Sequence, residues 1–325
     1  MILYNVFNIN YSNDPILNLN IEKYKHLISD EYVLIVGLGN FTNKFPYFLH
    51  QDSKVIQWKK EGKKMIYIDF EEGSSFYEPF LKRNFNLCEF EKDAFKIFSI
   101  CPLTCDYINK RFNTNKRVSI PFFYSEDNII QNIEYSNKKN DIIYSGNINE
   151  ISKKIKEYFP LYDIYDVIKT YKTHIWIGGI ANNYNAPSYL DKIKAYSISK
   201  IAVIHNVLCQ QPDKGFLDTF KDTEYYKYTE KTKLVPQIKS RLFEGAFNKC
   251  ILLCYNDDYK SIECLFKENE DFLYWKTKEE LKLLIDQILL NYDNYTYLAE
   301  NAYKKAINNY TTEKFVHTIL IPNLK

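Results

Sequence analysis

No run of apolar residues in this 325-residue chain approaches the roughly 18 needed to span a bilayer. Its opening stretch, MILYNVFNINYSND, lacks the basic start and long apolar core of a secretory leader. A soluble, cytoplasmic protein is expected, with peripheral membrane contact left open. An excess of one charge is missing too. The 43 Lys and Arg residues face 41 Asp and Glu, a formal charge of +2, which argues against a chain built to coat nucleic acid. No nucleic-acid partner is expected. Glycine is scarce, 9 residues, whereas 29 Tyr and 22 Phe carry the aromatic content to 17%. With abundant Asn, Lys and Ile, this is the composition of AT-rich codons, a genomic bias before a functional one.

An even, regularly spaced cysteine framework is also absent. The 7 cysteines sit mostly in apolar runs, as reduced thiols that pack like small hydrophobes. The four-residue spacings in CPLTC and CILLC invite a zinc reading. On a strand at roughly 3.3 Å per residue, however, those sulfurs lie about 13 Å apart, too far for one tetrahedral ion. No metal is expected. No internal repeat or low-complexity tract is evident, and the length suits two domains of roughly 150 residues.

What is present alternates. ILYNVF and YVLIVGLGNF read as strands, the second ending in a glycine turn that lacks the third glycine of a dinucleotide fingerprint. KKMIYIDFEEG is a further strand and delivers Asp69, Glu71 and Glu72 to its end. Asp69 and Glu72 are candidate general bases toward a hydroxyl, although acidic residues at that place also serve as helix caps. DAFKIFSICP and KRVSIPFF complete a first α/β unit with a parallel sheet. The composition then turns polar, and a linker is expected at 131–140.

A second α/β run follows. DIIYSGNINE places Gly146 and Asn147 at the carboxyl end of a strand, and ISKKIKEYF reads as a helix. HIWIGGI is a strand, PSYLDKIKAYSISK a helix, and KIAVIHN a strand that ends in His205 and Asn206. A histidine there is more often a hydrogen-bonded structural residue, although its titration range suits polar ligands. The polar, aromatic segment after Cys209 reads as a loop near the cleft. TKEE is a capping box ahead of a helix over LKLLIDQILL. The next helix is expected to be capped by Asp293, and a terminal one to be stopped by Pro322.

The stretch at 234–275 organises this half. RLFEGAF has helical spacing, CILLC reads as a buried strand, and Ile262, Leu265 and Phe266 suggest another short helix. Arg241 and Glu244 fall three apart on one helical face near an N-terminus that favours anions. They form either a solvated ion pair worth a few tenths of a kcal/mol or the cation and carboxylate of a nucleotide site.

The order IIYSGN, HIWIGG, SKIAVIHN, PQIKSRLFEGAFNKCILL and FKENEDFLYWKTKEEL resembles the donor-binding half of GT-B glycosyltransferases. The group-1 (family 4-like) enzymes and their spore-maturation-protein-like relatives are the nearest likeness. The resemblance implies an α/β, GT-B architecture of two Rossmann-like domains facing a cleft. Residues 1–130 would be the acceptor domain and 141–310 the donor domain, with a helix at 311–325 crossing back. Glu244 would then accept from the ribose hydroxyls and Arg241 would sit at the diphosphate. Gly146 and Asn147 would admit the phosphates, and His205 and Asn206 would line the sugar or nucleotide. The donor would be a nucleoside-diphosphate sugar, the acceptor a hydroxyl of a glycan, lipid or protein, with no cofactor or metal. In the family a first glutamate lies eight positions before the second; here Pro236 stands there. A non-catalytic nucleotide- or glycan-binding relative and a nucleotide-sugar epimerase remain as other readings.

Overall fold

The computed structural model describes residues 1–5, 20–36, 53–69, 93–100, 102, 105–106, 109, 113–146, 161–177, 189–209, 234–236, 238–257 and 259–325. The first half is a parallel sheet of β1 (Ile2–Asn5), β2 (Tyr32–Val36), β3 (Lys64–Asp69), β4 (Ala94–Ser99) and β5 (Arg117–Ser119), paired in that order. Helix α1 (Ser53–Lys60) leads into β3. The second half is also parallel, from β6 (Asn140–Gly146), β7 (Thr173–Ile177), β8 (Ser199–Ile204), β11 (Ile251–Tyr255) and β12 (Phe272–Trp275). Two short strands, β9 (Val207–Cys209) and β10 (Leu234–Pro236), pair antiparallel beside it. Its helices are α2 (Leu161–Ile168), α3 (Tyr189–Ser197), α4 (Ser240–Phe247), α5 (Lys278–Leu290) and α6 (Tyr292–Asn309).

Both sheets are covered on both faces, so their strands read as continuous apolar runs without polar alternation. The period of two survives in which core each residue joins. In the first sheet Leu34, Ile66, Ile68 and Phe98 enter one cluster, while Val33, Ile35, Met65, Tyr67 and Ile97 enter another. In the second, Ile142, Tyr144, Ile201, Val203, Ile251 and Leu253 share one face. The alternate residues Ile143, Ala202, Ile204, Leu252 and Cys254 point into the cluster that holds Leu34 and Phe98. One continuous core therefore joins the two halves.

The C-terminal segment contributes to that core. Phe315 stacks on Phe123 with ring centroids 3.9 Å apart and meets Phe98 edge-on. Tyr124 receives a hydrogen bond at its carbonyl from the Thr312 N–H at 2.8 Å, and the Tyr32 hydroxyl donates to the Leu324 carbonyl at 2.6 Å. Residues 131–140 lie against the second half. The Tyr135 hydroxyl donates to the Glu300 carboxylate at 3.2 Å. Buried Lys138 donates to the Asn248 carbonyl at 2.6 Å, at the end of α4.

Several local expectations change. Ile262, Leu265 and Phe266 are buried on a run of turns rather than a helix, and β12 follows directly. The 234–275 stretch thus supplies one strand of the two-stranded pair, a helix, an inner strand of the second sheet, turns and that sheet's outermost strand. Thr277 forms the expected capping box with Glu280. Asp293 lies inside the first turn of α6, whose N-cap is Asn291. Pro322 does not end the terminal helix: it occupies the first turn of a 3-10 segment, Ile321–Leu324, where a missing N–H costs nothing. The helix expected at ISKKIKEYF lies outside the described residues. The described cysteines Cys105, Cys250, Cys254 and Cys264 are free thiols.

Candidate functional site

The second sheet has the strand order β12-β11-β8-β6-β7. From β6 the chain moves outward to β7, then returns across β6 to lay down β8 on its other side. Such a reversal opens a crevice at the carboxyl ends of the two strands, where connections leave in opposite directions. The residues at those ends are Gly146 on β6 and His205 and Asn206 after β8.

Gly146 is required by close approach. A Cβ there would stand 2.8 Å from Cζ of Tyr144 and 3.1 Å from Cε1 of His205, besides meeting the Tyr144 hydroxyl. Tyr144 lies two residues back on the same strand face, so its ring covers the glycine and reaches His205, with Oη 3.1 Å from Nδ1. Both side chains are buried. Burial pushes the Tyr144 phenol up, which keeps its proton on. Burial first, then the Arg241 and Lys239 cations, hold the His205 imidazole well below its ordinary pKa. His205 is therefore neutral at physiological pH and offers a lone pair. Arg241 Nη1 donates into it, 2.6 Å from Nδ1 and 2.7 Å from Nε2; a neutral ring has one free lone pair, so one of these is the hydrogen bond. Among the described residues Arg241 pairs with no carboxylate, and its Nε is buried without a hydrogen-bond partner.

Glu244 corrects the ion-pair expectation. It is 0% exposed, and its partner is Lys192 of α3, whose Nζ lies 2.8 Å from Oε1 and from Oε2. Only Oε1 accepts with hydrogen-bond geometry; Oε2 is buried with none. Tyr196, also on α3, is fully buried; burial first, then the Glu244 charge, push its phenol well above its ordinary pKa. Helix α4 can sit this close to the sheet because Gly245 faces β8 and β11. A Cβ at Gly245 would come within 2.7 Å of Leu252 Cδ2 and 3.0 Å of Ala202 Cβ.

Asn206 is held by a second buried group. Its Nδ2 donates to the Asp257 carboxylate and to Ser261 Oγ at 3.0 Å. Asp257 also accepts from Ser261 Oγ at 2.7 Å and from the Tyr259 N–H at 2.9 Å. Burial raises the Asp257 carboxyl above the usual carboxylate range, against the lowering by these donors. Because a carboxylate takes the amide nitrogen, the Asn206 orientation is fixed and Oδ1 is left buried with no partner.

The fold thus brings Gly146, His205 and Arg241 into one contact set, with Asn206 adjoining and Glu244 a turn farther along α4. Asn147 and Glu72 lie outside the described residues. Asp69 is described as backbone at the end of β3, paired with Ser99. Sequence reading missed Tyr144, Lys192, Tyr196, Asp257 and Ser261. The one legible signal was the i, i+2 step from Tyr144 to Gly146; Lys192 stands among several lysines of α3 and is selected only by packing. No cluster of His, Cys, Asp or Glu suited to a metal ion occurs among the described residues, nor a helix long and apolar enough to cross a membrane.

Residues 189–321, the span from α3 to the C-terminal segment, match a family model described as glycosyl transferase-like. No curated protein sequence matches the chain. Among solved structures, Anabaena HepE in complex with UDP-glucose is similar with a TM-score of 0.55 at 8% identity, over 99% of this chain and 98% of that one. TarM gives a TM-score of 0.54 at 12% identity, over 95% of this chain. Sucrose-phosphate synthase from Thermosynechococcus elongatus gives 0.51 at 10%, over 95% of this chain and 78% of that one. The chain spans 58% of the length of TarM. At such identities the likeness establishes the fold, which is the GT-B architecture of two parallel α/β units.

Proposed function

We propose that this GT-B chain transfers a sugar from a nucleoside-diphosphate sugar, with uridine diphosphate as the leaving group, to a hydroxyl of a glycan, lipid or protein. One observation carries the reading. Buried polar atoms in native proteins almost always have hydrogen-bond partners, yet Asn206 Oδ1 and Arg241 Nε, at the crevice between β6 and β8, have none, and Glu244 Oε2, a turn farther along α4, has only the ion-pair contact of Lys192 Nζ at 2.8 Å. Two acceptors and one cationic donor suit a ligand with hydroxyl or N–H groups beside an anion. The matched glycosyl transferase-like region contains all three residues, and the HepE structure contains UDP-glucose.

In that reaction the bond from the anomeric carbon to the diphosphate oxygen breaks and a bond from that carbon to the acceptor oxygen forms. The acceptor proton passes to a base, and negative charge grows on the departing diphosphate. Arg241 answers that charge, with Lys239 next to it at the start of α4, so a protein cation takes the part a metal plays elsewhere. Neutral His205 orients Arg241 by accepting from Nη1 without competing for the anion. Gly146 keeps backbone, not a side chain, at the crevice floor. Glu244 meets the ribose. Asp69 and Glu72 remain the candidates for the base.

Calorimetric titration with UDP is the test. Wild type should bind, and Arg241→Ala should bind about 10- to 100-fold more weakly, the value of a charge-assisted hydrogen bond. Equal affinity for the two proteins sinks the assignment of Arg241. Transfer or hydrolysis in a screen of UDP-sugars separates the enzyme from a binding-only relative, the reading that Pro236 at the place of the first glutamate would favour.

A further inference from the structure

Lys192 stands where a ribose diol would have to go. A carboxylate that takes both hydroxyls of a vicinal diol offers them the edge shared by its two oxygens, as it does to a bidentate guanidinium. In this protein Nζ of Lys192, at 2.8 Å from each oxygen of Glu244, bridges that edge. The lysine side chain is 12% exposed and the glutamate side chain 0%. Drawing the ammonium away would leave a buried carboxylate without its counter-charge, which is strongly unfavourable. The hydrogen bond to Lys192 goes to Oε1, and Oε2 remains a buried acceptor without a donor.

We infer that Lys192 is a specificity-determining residue: it keeps the bidentate edge of Glu244 occupied, so that the donor's ribose is read through one hydroxyl, at Oε2, and not through both. The inference rests on the donor-site reading above. Lys192 acts through Glu244 and is a positioning residue for it.

The test is calorimetric titration of the full chain with UDP, 2′-deoxy-UDP and 3′-deoxy-UDP. The expected result is that one deoxy analogue binds about tenfold more weakly than UDP, the loss of one hydrogen bond to a charged group, and the other within about twofold. A comparable loss for both analogues overturns the inference, because it means that the diol displaces Lys192. No loss for either, with UDP still bound, also overturns it by removing Glu244 from the ribose. Failure of UDP itself to bind removes the donor site, and this inference with it. Lys192→Arg, which presents a bidentate guanidinium to the same edge, should retain the one-hydroxyl pattern. Lys192→Met should make the indifferent analogue matter as well. An unchanged pattern in Lys192→Met would show that the lysine does not set the selectivity, a distinction that general destabilisation cannot mimic because it weakens all three nucleotides together. Should Lys192→Met fail to fold, the wild-type and Lys192→Arg titrations decide the matter.

Discussion

The two sheets of this protein share hydrophobic texture and parallel pairing, yet they differ in the order of their strands. In the first, β1 to β5 follow one another across the sheet among the described residues. In the second, the order turns back between β6 and β8. Only the second therefore has, within the described residues, two neighbouring strand ends whose connections diverge. Two of the buried side-chain atoms without a hydrogen-bond partner, Asn206 Oδ1 and Arg241 Nε, lie there. Val33, Ile35 and Met65 are as buried as Ile201 and Leu253; burial alone does not distinguish the halves. Topology does, because a crevice needs diverging connections, and polar side chains at a crevice can be satisfied by a ligand.

This contrast can be broken most forcefully at Gly146. Gly146→Val should reduce UDP affinity about 100-fold or more, since its side chain would enter the space of Tyr144 and His205 and shift Arg241 with them. A variant that binds UDP like wild type would remove the crevice from the account. The first half provides the control: Gly62, at φ 73° with nothing within 4 Å of an added Cβ, should tolerate Ala at about 1 kcal/mol of backbone strain without change in UDP binding.

Next in size is Gly245→Ala. The added methyl would press on Leu252 and Ala202 and should cost about 1–3 kcal/mol in denaturant unfolding, because it lifts α4 from the sheet. An unchanged unfolding midpoint would show that α4 is not seated by that contact.

The smallest effect concerns pH. His205 has its folded pKa depressed by burial and by two cations, so the unfolded chain binds its proton first. Its contribution is constant above the ordinary histidine pKa of about 6.5 and is lost as the pH falls below it, at up to roughly 1.4 kcal/mol per unit. Asp257 works in the opposite sense: its raised folded pKa means that acidification relieves its burial. The difference between wild type and His205→Gln isolates the histidine, and should narrow as the pH drops from 7 toward 5. A constant difference across that range would mean that the ring is not held neutral.

How much of this was legible differs by kind of feature. The strands were readable because β-branched and aromatic runs four to seven residues long, closed by turn residues, leave little else for the chain to do. The capping box at Thr277 and Glu280 was readable because it is local chemistry between residues three apart. The apparent helix at Ile262, Leu265 and Phe266 was misleading: the spacing is helical, but those side chains are buried from a sequence of turns that carries Asp257 and Ser261 back to Asn206. Arg241 and Glu244 were singled out as a pair of residue types on one helical face, and they are not partners of one another. The neutral His205 takes the first and Lys192 the second.

By itself, then, the sequence determined the α/β alternation, the apolar faces, the capping box at Thr277 and the strand-end residues, because each depends on neighbours within a few positions. Only the tertiary structure decided which cation meets which carboxylate. Lys192 and Glu244 are separated by 52 positions, and Asn206 and Asp257 by 51. Such pairs are chosen by the order in which strands enter a sheet and by how closely a glycine lets a helix approach it. No period in the sequence records either choice.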